Sequence, residues 1–193
     1  MAIASSRASL ILFPTLLALL LAGCSVPWAG RPRGEAVLHS LTCHCRLIYP
    51  ASWWTTGNPG DPSRPMVGLD SFDSLDADHA PIPATYASIG IDWQSDPIGQ
   101  LYLTMTMRDT SSEPARHLTV SGWPATAYAH WTAPLSDGGY YEEHVYFFVP
   151  WYQRLYDVWL HAANPPGHDV SAQIRVFQRV LSTFTVVLPT ATP

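Results

Sequence analysis

The sequence contains no lysine. Its ten basic side chains are all arginine, and fifteen carboxylates give a formal charge of −5. No basic run occurs anywhere. Nucleic-acid binding relies on clustered cations to neutralise phosphates, so that class of partner is not expected. Cysteine is scarce, with three in 193 residues, and no Cys-x-x-Cys redox pair is formed. The strand-turn nucleophile Gly-x-Ser-x-Gly, the phosphate-cradling Walker loop and the dinucleotide fingerprint are all missing. So are His-Glu-x-x-His and the spaced carboxylates of an EF-hand. No internal repeat is visible. These gaps leave no credible nucleophile, and neither a cofactor nor an enzymatic activity is expected.

Aromatic residues, by contrast, are plentiful. They make up 12% of the chain and include eight tryptophans, more than a minimal core needs. Long apolar runs are limited to Leu10–Leu21, interrupted by Pro14 and Thr15 and short of the roughly 20 residues a membrane span requires. Arg7 precedes this run and Leu21-Ala22-Gly23-Cys24 follows it. Charge, apolar run and small residues before a cysteine resemble a bacterial lipoprotein signal. The resemblance implies a signal peptide over residues 1–23, cleavage before Cys24 and diacylglycerol on the Cys24 thiol. Residues 24–34, rich in Pro and Gly, then read as a short tether. That arrangement predicts a protein held on the cell membrane or outer envelope, facing away from the cytoplasm.

Residues 35–188 are long enough for one domain with a sizeable core. The stretch Glu142–Val187 organises them. Val145, Phe147 and Val149 alternate with His144, Tyr146 and Phe148, the period-2 signature of a strand. Pro150-Trp151-Tyr152-Gln153 reads as a turn, and Tyr156, Val158, Leu160 and Ala162 mark the returning strand. A closing helix carries Val170, Ile174, Phe177 and Leu181 on one stripe, capped by Asp169 or Ser171. A short strand follows at Phe184–Val187, and residues 189–193 read as a disordered tail. Earlier, Glu35–Tyr49 reads as one extended segment with Leu41, Cys43, Cys45 and Leu47 on one face. Met66–Ser71 is a short strand, and Asp70–Pro83 an exposed acidic loop. Thr85–Gln94 places Ala87, Ile89, Ile91 and Trp93 on an apolar face. Ser95-Asp96-Pro97 starts a helix whose apolar stripe is Ile98, Leu101, Tyr102 and Met105, although Thr104 and Thr106 favour a strand there. His117–Val120 and Ala125–Trp131 are strands joined by the tight connection Ser121–Pro124. The fold class is α+β: a single domain with an antiparallel sheet of five to seven strands flanked by helices.

Three local motifs resemble the PsbP-like fold, which includes many small bacterial lipoproteins. Leu47-Ile48-Tyr49-Pro50-Ala51-Ser52-Trp53 resembles its opening strand. Val120-Ser121-Gly122-Trp123-Pro124-Ala125 is similar to its Gly-x-Pro-Ala corner. Val176–Phe184 resembles its closing helix, with Thr183 inserted between Ser182 and Phe184. These motifs are structural and cover about Ala36–Leu188. The resemblance implies a binding or assembly role rather than catalysis and carries no catalytic residues over.

Four groups of residues are candidates for chemistry. Cys43 and Cys45, two apart on a strand, would lie about 7 Å apart. They could hold a soft metal, bridge to one another by deforming the strand, or simply be structural. His130, His144 and His161 fall on strands that can neighbour one another, and convergence would make a metal site for an envelope metal-dependent protein or enzyme. Their plainer reading is solvated or singly bonded imidazole, and no metal is assigned. Glu142, Glu143 and the Asp70–Asp78 carboxylates read as solvated. Trp151 and Tyr152 sit in a turn, where burial is difficult. They are the expected contact for an unknown envelope protein or small ligand, beside the membrane reached through the Cys24 anchor.

Overall fold

Two long strands, β8 (Gly139–Val149) and β9 (Arg154–Asn164), form the centre of the molecule because their apolar residues alternate in step. Antiparallel pairing sets Val145 against Val158 and Phe147 against Tyr156, so both strands turn their apolar sets to the same side. The computed structural model describes residues 33–56, 66–72, 83, 85–131, 139–164 and 168–189. Pro32–Pro193 clusters as one compact unit.

Around this pair lie β1 (Glu35–Ser40), β2 (Cys45–Pro50), β3 (Trp54–Thr56), β4 (Met66–Asp70), β5 (Ala87–Gln94), β6 (Arg116–Val120), β7 (Trp123–Trp131) and β10 (Thr185–Val186). Two helices, α1 (Pro97–Thr110) and α2 (Ser171–Thr183), complete the described elements. The larger sheet runs β3-β4-β5-β9-β8-β7-β6 and the smaller one β1-β2-β10, with every pairing among the described residues antiparallel. The fold is α+β, as the alternation predicts.

The core lies between the two sheets and α2. Cys43, Cys45 and Leu47 enter it from the small sheet, and Phe177, Val180 and Leu181 from α2. Ile89, Ile91, Val158 and Leu160 enter from the large sheet. Phe147 and Tyr156 stack with centroids 5.2 Å apart, and Phe184 meets both edge-on. Tyr156 is fully buried and donates its hydroxyl to the Cys43 carbonyl at 2.7 Å; burial raises its pKa to about 12. Phe177 shows no exposed surface, which is worth about 3–5 kcal/mol against alanine at such a site.

Several elements differ from the sequence reading. Glu35–Tyr49 is a hairpin rather than one strand: the chain turns at Leu41–His44, and Leu41 leaves the face it was expected to share with Cys43. Pro124 belongs to β7 opposite Thr119, so only Ser121-Gly122 turns the β6–β7 corner, both with positive φ (53° and 81°). Two residues of positive φ match the twist of a tight hairpin, which is why glycine occupies the second place. Asp96 caps α1 by accepting from the Gly99 N–H at 2.7 Å, and Pro97 opens it. The Thr104 hydroxyl satisfies itself on the Gln100 and Leu101 carbonyls within the helix, so its strand preference does not decide. Of the expected apolar stripe, Ile98, Leu101 and Met105 are all exposed, and the Tyr102 side chain lies outside the described residues. The half-buried stripe is Gln100, Thr104, Met107 and Ser111. In α2, Asp169 accepts from the Ser171 N–H while Val170 holds the N-cap position. The last-tail residues 190–193 and most of the tether, with Cys24, lie outside the described residues.

Candidate functional site

Loops from distant parts of the sequence meet at one end of the sheets. The first is the β1–β2 turn, where Cys43 and Cys45 form a disulfide with their Cα atoms 5.2 Å apart. The sequence placed both thiols on one strand, where a bridge required the backbone to deform, and that alternative is the one realised. The turn draws them together, and His44 between them takes a positive φ of 50°. Bridged and fully buried, the pair is withdrawn from metal binding.

The second is the 3₁₀ turn Pro150–Tyr152 between β8 and β9, closed by Gln153 at φ 50°. The third is Val187-Leu188, just beyond β10. The three are tied together. The His44 and Tyr152 rings stack at 4.4 Å with 9° between their planes. Tyr152 donates its hydroxyl to the Val187 carbonyl at 2.6 Å, and the Val187 N–H returns to the His44 carbonyl at 2.8 Å. Arg154 lies 5.7 Å from both the Trp93 and Tyr152 rings and donates to the Thr42 carbonyl at 3.3 Å. Burial, with Arg154 nearby, pushes the His44 pKa down, so the ring is neutral at neutral pH.

This bracing supports an apolar surface. Leu41 is 78% exposed and Trp151 63%, and Val187 and Leu188, just beyond β10, are exposed as well. Of the two expected contact residues, Trp151 therefore faces solvent. Tyr152 is half-buried and acts as a brace. Leu41 was missed because it was assigned to a buried strand face.

The outward face of the large sheet holds the histidines. The register sets His130 against Glu142 and Glu142 against His161, and one step on it sets Tyr128, His144 and Trp159 in a row. His130, His144 and His161 do lie on neighbouring strands. They surround Glu142, whose pKa is lowered chiefly by its hydrogen bond with His144 and further by the charge of all three. His144 is clamped: Nδ1 lies 2.9 Å from Asp157 Oδ2, and Nε2 lies 3.4 Å from Glu142 Oε1. Burial disfavours its charged form, but the bonds to Asp157 and Glu142 outweigh burial and raise its pKa to about 9. Burial lowers the pKa of His161, whose ring stacks on Tyr140 at 4.7 Å.

Trp159 lies flat over Gly90, where an added Cβ would meet its ring at 2.1 Å, and donates to Asp92 at 2.8 Å. Helix α1 passes over this face. It is tied at its start by Gln100 to the Gln94 carbonyl, and beyond its end by Ser112, whose hydroxyl lies 3.1 Å from His130 Nδ1. The face is thus a packed polar layer, and among the described residues no three His, Cys, Asp or Glu side chains are placed to hold a metal ion.

The remaining candidate carboxylates are structural. Glu143 points to the opposite side, buried, and accepts from Arg116 and from the Tyr141 hydroxyl. Asp70 is the last residue of β4 and accepts from the Thr56 hydroxyl at 2.7 Å, so it is not in an exposed loop. Residues 73–82 of that loop lie outside the described residues. Among the described residues no helix is long and apolar enough to cross a membrane.

No known family model matches the chain, and neither does any curated protein. Solved structures similar to it include LpqN of Mycobacterium tuberculosis, described as involved in cell envelope biogenesis. That match has 11% identity and a TM-score of 0.48, over 81% of this chain and 86% of that one. The Saccharomyces cerevisiae Ran-binding protein Mog1p is similar at 11% identity and a TM-score of 0.48, over 81% and 97%. Cyanobacterial PsbP from Synechocystis sp. PCC 6803 is similar at 11% identity and a TM-score of 0.49, over 84% and 97%.

Proposed function

We propose that this protein is a non-enzymatic binding module of the bacterial cell envelope, held by lipid on Cys24, that docks a partner protein through the Leu41–Trp151 end. The observation that carries the reading is the combination of exposure and bracing at that end. Large exposed apolar side chains are a cost to a soluble domain unless something covers them. Here they sit on loops fixed by a disulfide, a ring stack and backbone hydrogen bonds. A surface already ordered before contact loses little entropy on binding, which favours affinity. Trp is also the side chain most enriched among residues that dominate protein interfaces. The proposed anchor fits this role, because diacylglycerol supplies two acyl chains and gives durable attachment where one chain does not.

The test places a photo-crosslinking amino acid at position 151 in cells, with position 108 on the exposed end of α1 as the control. A discrete protein adduct is expected from 151, absent from 108, and lost when Leu41→Asp is added. Trp151→Ala should weaken the purified complex by about 2 kcal/mol or more. Equal adducts at both positions, or adducts only to lipid or a small ligand, would overturn the protein-docking reading. The anchor is checked separately. Cys24→Ser should move the protein out of the membrane fraction and abolish incorporation of labelled fatty acid.

A further inference from the structure

A second surface lies at the opposite end of the strands. Gly34, Tyr49, Pro50, Ala172 and Val176 line an open cleft of about 330 Å3, with Arg175 and Arg179 on its rim. The cleft is formed where the Gly34 carbonyl accepts from the Ala51 N–H and where the first turns of α2 pass the end of β2. Both arginines are exposed. Arg179 pairs with Glu35 at 3.0 Å, whereas Arg175 makes no ion pair among the described residues. Arg33 is exposed just before the cleft. Among the described residues around the cleft, Glu35 and Asp169 stand against these three cations, on a chain whose formal charge is −5. The lining pairs apolar groups with guanidinium donors, which suits a ligand with a hydrocarbon part and an anionic head.

We infer that this cleft seats the phosphate headgroup of an anionic phospholipid at the membrane surface. The placement argument rests on the proposed Cys24 anchor; the charge and shape arguments do not. Cys24 and Gly34 are ten positions apart in sequence, a reach of about 35 Å at full extension. The long strand β9 has eleven residues and itself spans about 34 Å from the Trp151 end to the cleft end. Gly34 lines the cleft, so an anchored domain carries this cleft where its tether enters. Guanidinium groups close to an anionic bilayer contribute about fivefold each in binding.

Because residues 32–193 form one compact unit with its own core, the anchor-free domain can be tested directly. It should co-sediment with vesicles containing phosphatidylglycerol and not with vesicles of phosphatidylcholine alone, and salt should release it. Arg175→Gln with Arg179→Gln should lower the affinity by an order of magnitude or more, with an unchanged unfolding midpoint. Glu35→Gln, which frees Arg179 from its pair, should raise it. Binding that is equal on both vesicle types overturns the inference. So does binding lost on Trp151→Ala but retained in the double arginine variant. Absence of binding to either vesicle type also overturns it, and leaves the docking and anchor readings to their own tests.

Discussion

His144 makes the stability of this fold depend on pH in a narrow and separable window. Its pKa moves from an ordinary 6.5 to about 9 in the folded state, because Asp157 and Glu142 hold the imidazolium from both sides against the cost of burial. A pKa raised by folding means that the native state binds the proton more tightly. The stabilisation is fully present below pH 6.5 and is lost as pH rises through 9. Each unit is worth about 1.4 kcal/mol, so 2.5 units give an upper figure of about 3 kcal/mol. The chain has no lysine, Cys43 and Cys45 are bridged, and His44 and His161 have lowered pKa values and titrate below this window. Urea unfolding of the domain 33–189 at pH 6.5, 7.5 and 9 should show a falling midpoint at constant slope. In His144→Gln that fall should vanish. A wild-type midpoint that is flat from pH 6.5 to 9, or a variant with the same pH slope as wild type, would refute the clamp.

Three further outcomes follow from packing. Gly90→Ala drives a methyl group into the Trp159 ring and should cost about 2–4 kcal/mol, combining overpacking with loss of the bond to Asp92; a drop in midpoint worth under 1 kcal/mol would contradict the contact. Cys43→Ser with Cys45→Ser should cost about 1.5 kcal/mol, the small value set by so short a loop, and should raise proteolytic cleavage near Thr42, which mass spectrometry of limited digests can locate. Phe177→Ala should cost about 3–5 kcal/mol in calorimetry, and a loss under 1 kcal/mol would mean that α2 does not close the core.

Much of this architecture is legible in the residues. Val145, Phe147 and Val149 on one strand and Tyr156, Val158 and Leu160 on the next alternate cleanly, and every one of them is buried. A period of two reports which side packs, because successive strand residues face opposite ways. It does not report what covers the other side. Ser88, Gly90 and Asp92 alternate with the apolar set and so take the other face of β5. They lie in a polar layer under Trp159 and α1, because hydrogen bonding among Asp92, Trp159, Asp157 and His144 satisfies groups that would otherwise need water. The β1–β2 turn was hidden for a different reason. Leu41-Thr42-Cys43-His44 contains no Gly, Pro, Asn or Asp, and the left-handed conformation falls on His44, held by the adjoining disulfide and the Tyr152 ring. The apolar stripe of α1 was visible, but its direction was not, since spacing fixes which residues share a face and not where that face points.

The pairing of β10 with β2 sets an order on how the Leu41–Trp151 end comes into being. The Ile48 N–H and the Thr183 hydroxyl that receives it are 135 residues apart, and Val187 must then reach the His44 carbonyl before Tyr152 can close on it. A chain made from its N-terminal end delivers Leu41 first and Val187 late. During that interval the loops are present without the strap that binds them, and a partial chain is open to proteases there.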